Sequence, residues 1–293
     1  MMGTAKSFTT REVARLCRVS DATVKRWEDA GVLNSERTSG GHRRFRAEEV
    51  ARFQREQNLG LKLKHGDESA AKIKTRRREN GNHSHCSFFH SLVAGAEEEA
   101  ANLLITAYLR GTPLTDIFDD LICPAMNRIG ELWYMGELSV AQEHLATHTA
   151  HHAVYTLRQT LPVPEMSGKL AVCCGIEGDF HELPTHLVQM TIENAGWEVL
   201  NFGANMPLHS MTEEILHHSP EMICISATIM PDLERITRDY KYFRERIEKL
   251  KIPVIIGGGA FSDGQIRNRF PAEFYAENFA EAARFIREIA RKN

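Results

Sequence analysis

Asp179-Phe180-His181 sets a carboxylate two residues ahead of an imidazole. The apolar run Leu170 to Cys174 before it and the amphipathic spacing of Thr185 to Ala195 after it put the pair on a strand-to-helix loop. In an open α/β sheet such loops lie at the carboxyl ends of the strands, where ligands bind. An Asp-x-His there turns one ring nitrogen outward while Asp179 holds the other, which is the wiring of a metal ligand. Taken alone, the tripeptide reads more simply as a solvated loop histidine beside a carboxylate. Two further groups fall on the same edge. Ser226-Ala227-Thr228 closes a third apolar run and Gly257-Gly258-Gly259 a fourth, so that hydroxyls and a floor without side chains leave a slot for a flat group.

A second set lies upstream in Trp133, Glu143 and His144. Trp133 ends one helix, and a capping box at Ser139-Val140-Ala141-Gln142 fixes Glu143 and His144 in the opening turns of the next. An indole plate beside a carboxylate suits a nucleoside-like group, stacked on the ring with its hydroxyls on Glu143. The plainer alternative is a core tryptophan and a surface charge pair. His148, His151 and His152 follow His144 at helical spacings and share its side, either facing another domain or offering an axial ligand to a metal. His83, His85, Cys86 and His90 could bind a metal, but in a polar tract this reads as adventitious affinity.

The elements that must position these groups follow from the chain in order. Thr9 to Glu12 forms a capping box for a short helix, and Ser20 caps a second, Asp21 to Ala30, closed by Gly31. Val24 and Trp27 point inward, and Thr23, Lys25 and Arg26 outward. Asn34 to Arg46 then reads as a β-hairpin wing that turns at Gly40-Gly41 and displays its arginines. From Leu92, the positions Ala96, Ala100, Leu103 and Ala107 mark one side of a helix. Leu114 to Trp133 adds one or two more with Pro124 near a break, and the helix opened by Ser139 runs to about Thr160, making a bundle of about four helices. Runs at Leu170–Cys174, Glu198–Phe202, Met222–Ala227 and Val254–Ile256 alternate with helical stretches and specify a parallel, doubly wound sheet.

Ser20 to Glu28 followed by Arg37-Thr38-Ser39-Gly40-Gly41-His42-Arg43-Arg44-Phe45 resembles the winged-helix head of MerR-type regulators. That resemblance implies that the second helix enters the major groove while the wing arginines and His42 grip phosphates or the minor groove. The DNA-contacting set is then Thr23, Lys25, Arg26, His42, Arg43 and Arg44. Trp133, Glu143-His144, Asp179-x-His181, Ser226-x-Thr228 and Gly257-Gly258 together resemble the cobalamin-binding module of methionine synthase and its relatives. Joined to the head, the chain looks like the CarH photoreceptor-repressor family. The resemblance implies adenosylcobalamin as cofactor, with His181 as lower cobalt ligand oriented by Asp179. Ser226, Thr228, Gly257 and Gly258 would hold the displaced nucleotide tail, and Trp133, Glu143 and His144 would enclose the 5′-deoxyadenosyl group. It also implies a homotetramer on a double-stranded DNA operator in the dark that light takes apart. Two positions depart from the pattern. Pro184 stands where glycine is usual, and Tyr134 stands where light-sensing relatives carry a histidine that captures cobalt, a role left to His148, His151 or His152.

Composition bounds the reading. Residues 1–80 hold 19 Lys and Arg against 11 Asp and Glu, a balance of +8, whereas the rest holds 17 against 28, or −11. A basic head on an acidic body takes a polyanion at the head. The six cysteines show no C-x-x-C pairing, which argues for buried thiols rather than a disulfide framework or zinc knuckle. No segment has the length of a membrane span and no apolar leader opens the chain, so a cytoplasmic protein with no membrane partner is expected. The expected organisation is multidomain: a winged helix-turn-helix head over 1–78, a linker over 79–87, a four-helix bundle over 88–164, and a flavodoxin-like α/β doubly wound domain over 165–293. A regulator, not an enzyme, is expected. A regulator on this fold that binds no cobalamin or another tetrapyrrole, and a corrinoid methyl carrier, remain the alternatives.

Overall fold

The computed structural model describes residues 7–17, 19–38, 40–46, 49–50, 52–53 and 87–292. Arg76 to Arg78, His83, His85, Cys86 and nearly all of the expected linker lie outside these. The chain divides into two compact units, residues 1–162 and 163–293.

The first unit opens with strand β1 (Ser7–Phe8) and helices α1 (Thr10–Cys17) and α2 (Asp21–Asp29). Glu12 accepts from the Thr9 amide, and the Ser20 hydroxyl accepts from the Thr23 amide, so both helices start on the expected caps. Gly31 takes φ +69° just past α2, which stops the helix without the Cβ penalty of a left-handed residue. Strands β2 (Glu36–Arg37) and β3 (Arg43–Arg46) pair antiparallel, and β1, which the sequence pattern did not signal, adds to the other side of β3. Phe8, Val13, Val24, Leu33, Phe45, Val50 and Phe53 are buried, and Trp27 lies tilted against Phe53.

The described residues from 87 onward in this unit are mainly helical. The single helix expected from Leu92 is two: residues 87–93 are helical, and α3 (Glu97–Leu109) begins after a turn. Gly95 at φ +67° makes that turn, with its amide on the Leu92 carbonyl and the Ala96 amide on Ser91. Leu104 and Ile105 face the core there, while Leu103 and Ala107 are half-buried. A single helical turn, Leu114–Ile117, leads through a π-helical stretch, Phe118–Ile122, directly into α4 (Cys123–Tyr134). Pro124 sits at that junction, where the Cys123 amide reaches five residues back to the Phe118 carbonyl and Pro124 has no amide of its own to continue the ladder. Helix α5 (Val140–Arg158) starts on the reciprocal Ser139 and Gln142 capping box and packs its small residues Ala146, Ala150 and Ala153 inward.

The second unit is a five-stranded parallel sheet of β4 (Leu170–Gly175), β5 (Glu198–Asn201), β6 (Met222–Ser226), β7 (Val254–Gly257) and β8 (Phe274–Ala276), in spatial order β5-β4-β6-β7-β8. The edge strand β8, only three residues long, carried no run that the sequence pattern could register. Between them run α6 (Leu183–Glu193), α7 (Leu208–His218) and α8 (Leu233–Ile247), and α9 (Phe279–Lys292) closes the chain. Alternation along β4 splits the core. Val172 and Cys174 join Met211, Ile215, Tyr240 and Phe243 on one face, while Ala171 and Cys173 join Ile192, Trp197, Ile286 and Ile289 on the other. Cys173, Cys174 and Cys224 are buried, and burial pushes the Cys174 thiol up to about 12. Because the strand order reverses direction at β4, the loops after β4 and β6 leave the sheet side by side at its carboxyl edge.

Candidate functional site

Asp179 is only 2 % exposed, yet it sits on a loop at that edge. Its first oxygen lies 2.6 Å from His181 Nδ1 and accepts from the His181 amide at 3.1 Å. Its second accepts from the Thr228 amide at 2.6 Å and from Ile229 at 3.4 Å. Burial raises the Asp179 carboxyl, but the His181 ring and the two backbone donors outweigh it and hold the group below the ordinary aspartate value. The carboxylate thus ties the imidazole to the loop after β6. His181 itself is half exposed, at 52 % of its side chain.

The donor set tests which metal chemistry fits. With Nδ1 engaged by Asp179, the ring would coordinate through Nε2, and the acidic partner would raise its basicity. Among the described residues no group of three or more His, Cys, Asp or Glu is placed to enclose a metal ion. One imidazole fits a metal whose other positions belong to a cofactor.

The neighbouring loop completes the clamp, by residues whose part the sequence did not suggest. Asn205, in the left-handed region at φ +54°, donates its amide to the Asp179 carbonyl at 2.9 Å and accepts from the Gly178 amide on its side chain at 2.7 Å. Glu177 holds Arg235 of α8 at 2.8 Å. A left-handed asparagine in Gly203-Ala204-Asn205 was the available signal, but nothing local says which loop it will meet.

Ser226 is buried at the end of β6, Thr228 is half-buried, Gly257 ends β7 and Gly258 follows it. Gly258 has a reason of its own. It takes φ +103°, and a Cβ there would stand 2.3 Å from the Ala227 carbonyl oxygen. Pro184 occupies the first turn of α6, which begins two residues earlier than the spacing predicts, so its missing N–H leaves no helical bond unmade.

Asp179 should also mark the pH response. Its depressed value contributes stability that is fully present above about 3.9, the unfolded aspartate value, and is lost as pH falls through the folded value. Asp179→Asn should therefore lower thermal stability at neutral pH and reduce the further loss on acidification below pH ~4. Melting curves across that range check this, and parallel curves for both proteins would sink it.

In the first unit, Trp133 is 48 % exposed at the end of α4 and so is not a core residue, and Tyr134 beside it is 86 % exposed. Glu143 accepts from the Thr147 hydroxyl at 2.8 Å and lies 3.6 Å from the exposed His144 ring. Of the histidines along α5, His152 lies 3.8 Å from Glu97 of α3, His148 is exposed and His151 is half-buried.

On the head, Lys25, Arg26 and His42 are exposed, and Thr23 and Arg44 are half-buried. Arg43 does not have the displayed side chain expected of it. It is 23 % exposed and pairs with Glu28 and with Asp29 of α2, the latter at 3.3 Å.

Comparison with known proteins agrees with this layout. Residues 8–62 match the MerR HTH family of regulatory proteins, and residues 87–158 and 170–284 each match a B12 binding domain family. Dimethylamine corrinoid protein 1 of Methanosarcina mazei is 26 % identical over 59 % of this chain and 81 % of its own length. The HTH-type transcriptional repressor CarH of Myxococcus xanthus is 21 % identical over 87 % of this chain and 90 % of its own. The monomethylamine corrinoid protein of Methanosarcina barkeri shares the fold, with a TM-score of 0.57 and 22 % identity over 69 % of this chain and 96 % of its own. No described helix is long and apolar enough to cross a membrane.

Proposed function

We infer that this chain, CarH-like in carrying a MerR-type head followed by two B12-binding domains, is a cobalamin-binding transcriptional regulator whose cofactor state controls its hold on DNA. The observation that carries the cofactor reading is the buried Asp179 bonded to His181 Nδ1 at the carboxyl edge of the sheet. In this reading the cofactor is adenosylcobalamin. His181 would supply the protein's ligand to cobalt with Asp179 keeping the ring in place, and Ser226, Thr228, Gly257 and Gly258 would hold the displaced tail. Trp133, Glu143 and His144, in a four-helix bundle, cover the adenosyl group.

When bound, adenosylcobalamin supplies a cobalt–carbon bond weak enough for visible light to break. The chain's part is to read whether the upper group is present. Trp133 would stack on it, Glu143 would exchange its Thr147 partner for a sugar hydroxyl, and the bundle would take the form that assembles a tetramer in the dark. Several winged heads on one duplex bind far more tightly than one, so assembly sets operator occupancy. With Tyr134 at that place, His148, His151 or His152 would have to supply any protein ligand to cobalt after illumination.

The full chain purified with adenosylcobalamin tests this by absorption spectrum and solution mass, before and after green light. A coloured protein that changes spectrum and falls in mass is expected. A colourless product would end the cobalamin reading, and an unchanged spectrum the light reading. Trp133→Ala should abolish dark assembly with adenosylcobalamin while leaving the affinity for methylcobalamin within about three-fold, because the half-exposed ring is not core. Equal loss of both would make the tryptophan purely structural.

A further inference from the structure

The carboxylate of Glu28, in the last turn of α2, is only 14 % exposed and gathers three partners from the following hairpin. It accepts from the Ser35 hydroxyl at 2.6 Å and from Arg43 Nε, and Arg37 lies 3.8 Å away. The Ser35 hydroxyl foremost, and both guanidinium groups, hold the carboxyl below its ordinary range despite partial burial. Arg37 and Arg43 are direct partners in the β2–β3 register, where two like charges repel. Glu28 stands against both and offsets that repulsion. For Arg43 to reach a DNA phosphate it would have to abandon a largely covered carboxylate. Arg44 and Lys25, by contrast, have no ion pair among the described residues.

We propose that Glu28 is a positioning residue that sets the hairpin against α2, with Arg43 as its strut, and that the electrostatic grip on the DNA backbone belongs to Lys25, Arg44 and their exposed neighbours. The proposal rests on the reading of the head as DNA-binding, and it moves Arg43 out of the phosphate-contacting set.

Two measurements on the full chain decide it. In the first, without DNA, hydrogen exchange is followed over residues 34–46, where the Thr38 amide bonds to the His42 carbonyl and the Gly41 amide to Thr38. Glu28→Gln and Arg43→Ala should each speed exchange about five-fold, and the double variant no further, as for two ends of one contact. Unchanged exchange in both single variants would overturn the proposal. In the second, binding to a random-sequence duplex is followed over a potassium chloride series. Arg43→Ala should weaken binding about five-fold with the wild-type salt slope, whereas Arg44→Ala should lower the slope by ~1. A slope lowered by ~1 in Arg43→Ala would overturn the strut. Arg43→Lys guards against simple misfolding. A strut needs the guanidinium fork and should not be rescued, while a phosphate contact would be largely restored by lysine. Failure of the wild-type chain to bind the duplex would sink the DNA-binding reading, and hydrogen exchange would still decide the strut.

Discussion

His181→Ala is expected to lower cobalamin affinity by at least ~100-fold and to give any residual complex the spectrum of cobalt without a protein nitrogen. The lower figure for losing even a supporting partner of a metal ligand is ~10–100-fold, and here the ligand itself is removed. The fold should survive. The His181 side chain is half exposed and leaves no core cavity, and Asp179 keeps its bonds to the Thr228 and Ile229 amides. Stability should fall by about 1.5–3 kcal/mol, the loss of one hydrogen bond to the Asp179 carboxylate. Added free imidazole should restore much of the holo spectrum, because the position next to Asp179 is kept. Titration of the variant with cobalamin, followed by absorption, makes the measurement. Wild-type affinity and spectrum in the variant would remove His181 from cobalt.

Gly258→Ala is expected to be the most destabilising single change at the sheet edge, by about 2–6 kcal/mol. Two costs add. A non-glycine residue at φ +103° carries about 1–3 kcal/mol of backbone strain, and forcing a methyl group against fixed atoms costs a similar amount. The obstacle is the Ala227 carbonyl, itself held by the Ala260 amide at 3.0 Å, so it has no easy retreat. A fall of about 10 °C in the melting temperature of the second unit follows. Gly257→Ala is the control. Its Cβ would meet the Ala276 carbonyl oxygen at 3.2 Å, at a backbone angle open to any residue, so the cost should stay near 1 kcal/mol. A loss of cobalamin affinity in Gly257→Ala with no larger fall in melting temperature than that cost implies would then report the glycine floor under the cofactor tail. Equal melting temperatures for Gly258→Ala and wild type would refute the backbone argument.

Much of the architecture was legible because its signals are local. Thr9-x-x-Glu12 and Ser139-x-x-Gln142 are caps whose partners lie three residues apart, and both form as their spacing requires. Four of the five parallel strands announced themselves as apolar runs: β4, β6 and β7 because a strand buried on both faces needs little else, and the edge strand β5 because Val199 and Leu200 mark it. The fifth, Phe274–Ala276, is short and at an edge, with only half-buried residues, and no periodicity marks it. The helix expected from Leu92 shows the converse error. Its alanines and leucines have helical spacing on both sides of Gly95, and spacing does not reveal that Gly95 adopts a positive φ between two shorter helices.

By itself the sequence determined the loop that carries Asp179 and His181, the capped helix that opens with Glu143 and His144, and the charge division between head and body. Each of these depends on residues within a turn or a strand of one another. Only the tertiary structure decided that Asp179 reaches the Thr228 amide 49 positions away, that Asn205 closes over the same loop, and that Glu28 takes Arg43 out of solvent. The reason is that a carboxylate can accept from many donors, amide, hydroxyl, imidazole or guanidinium alike. Which donor arrives is set by strand order and hairpin register, and those belong to the packed core rather than to the residues that meet.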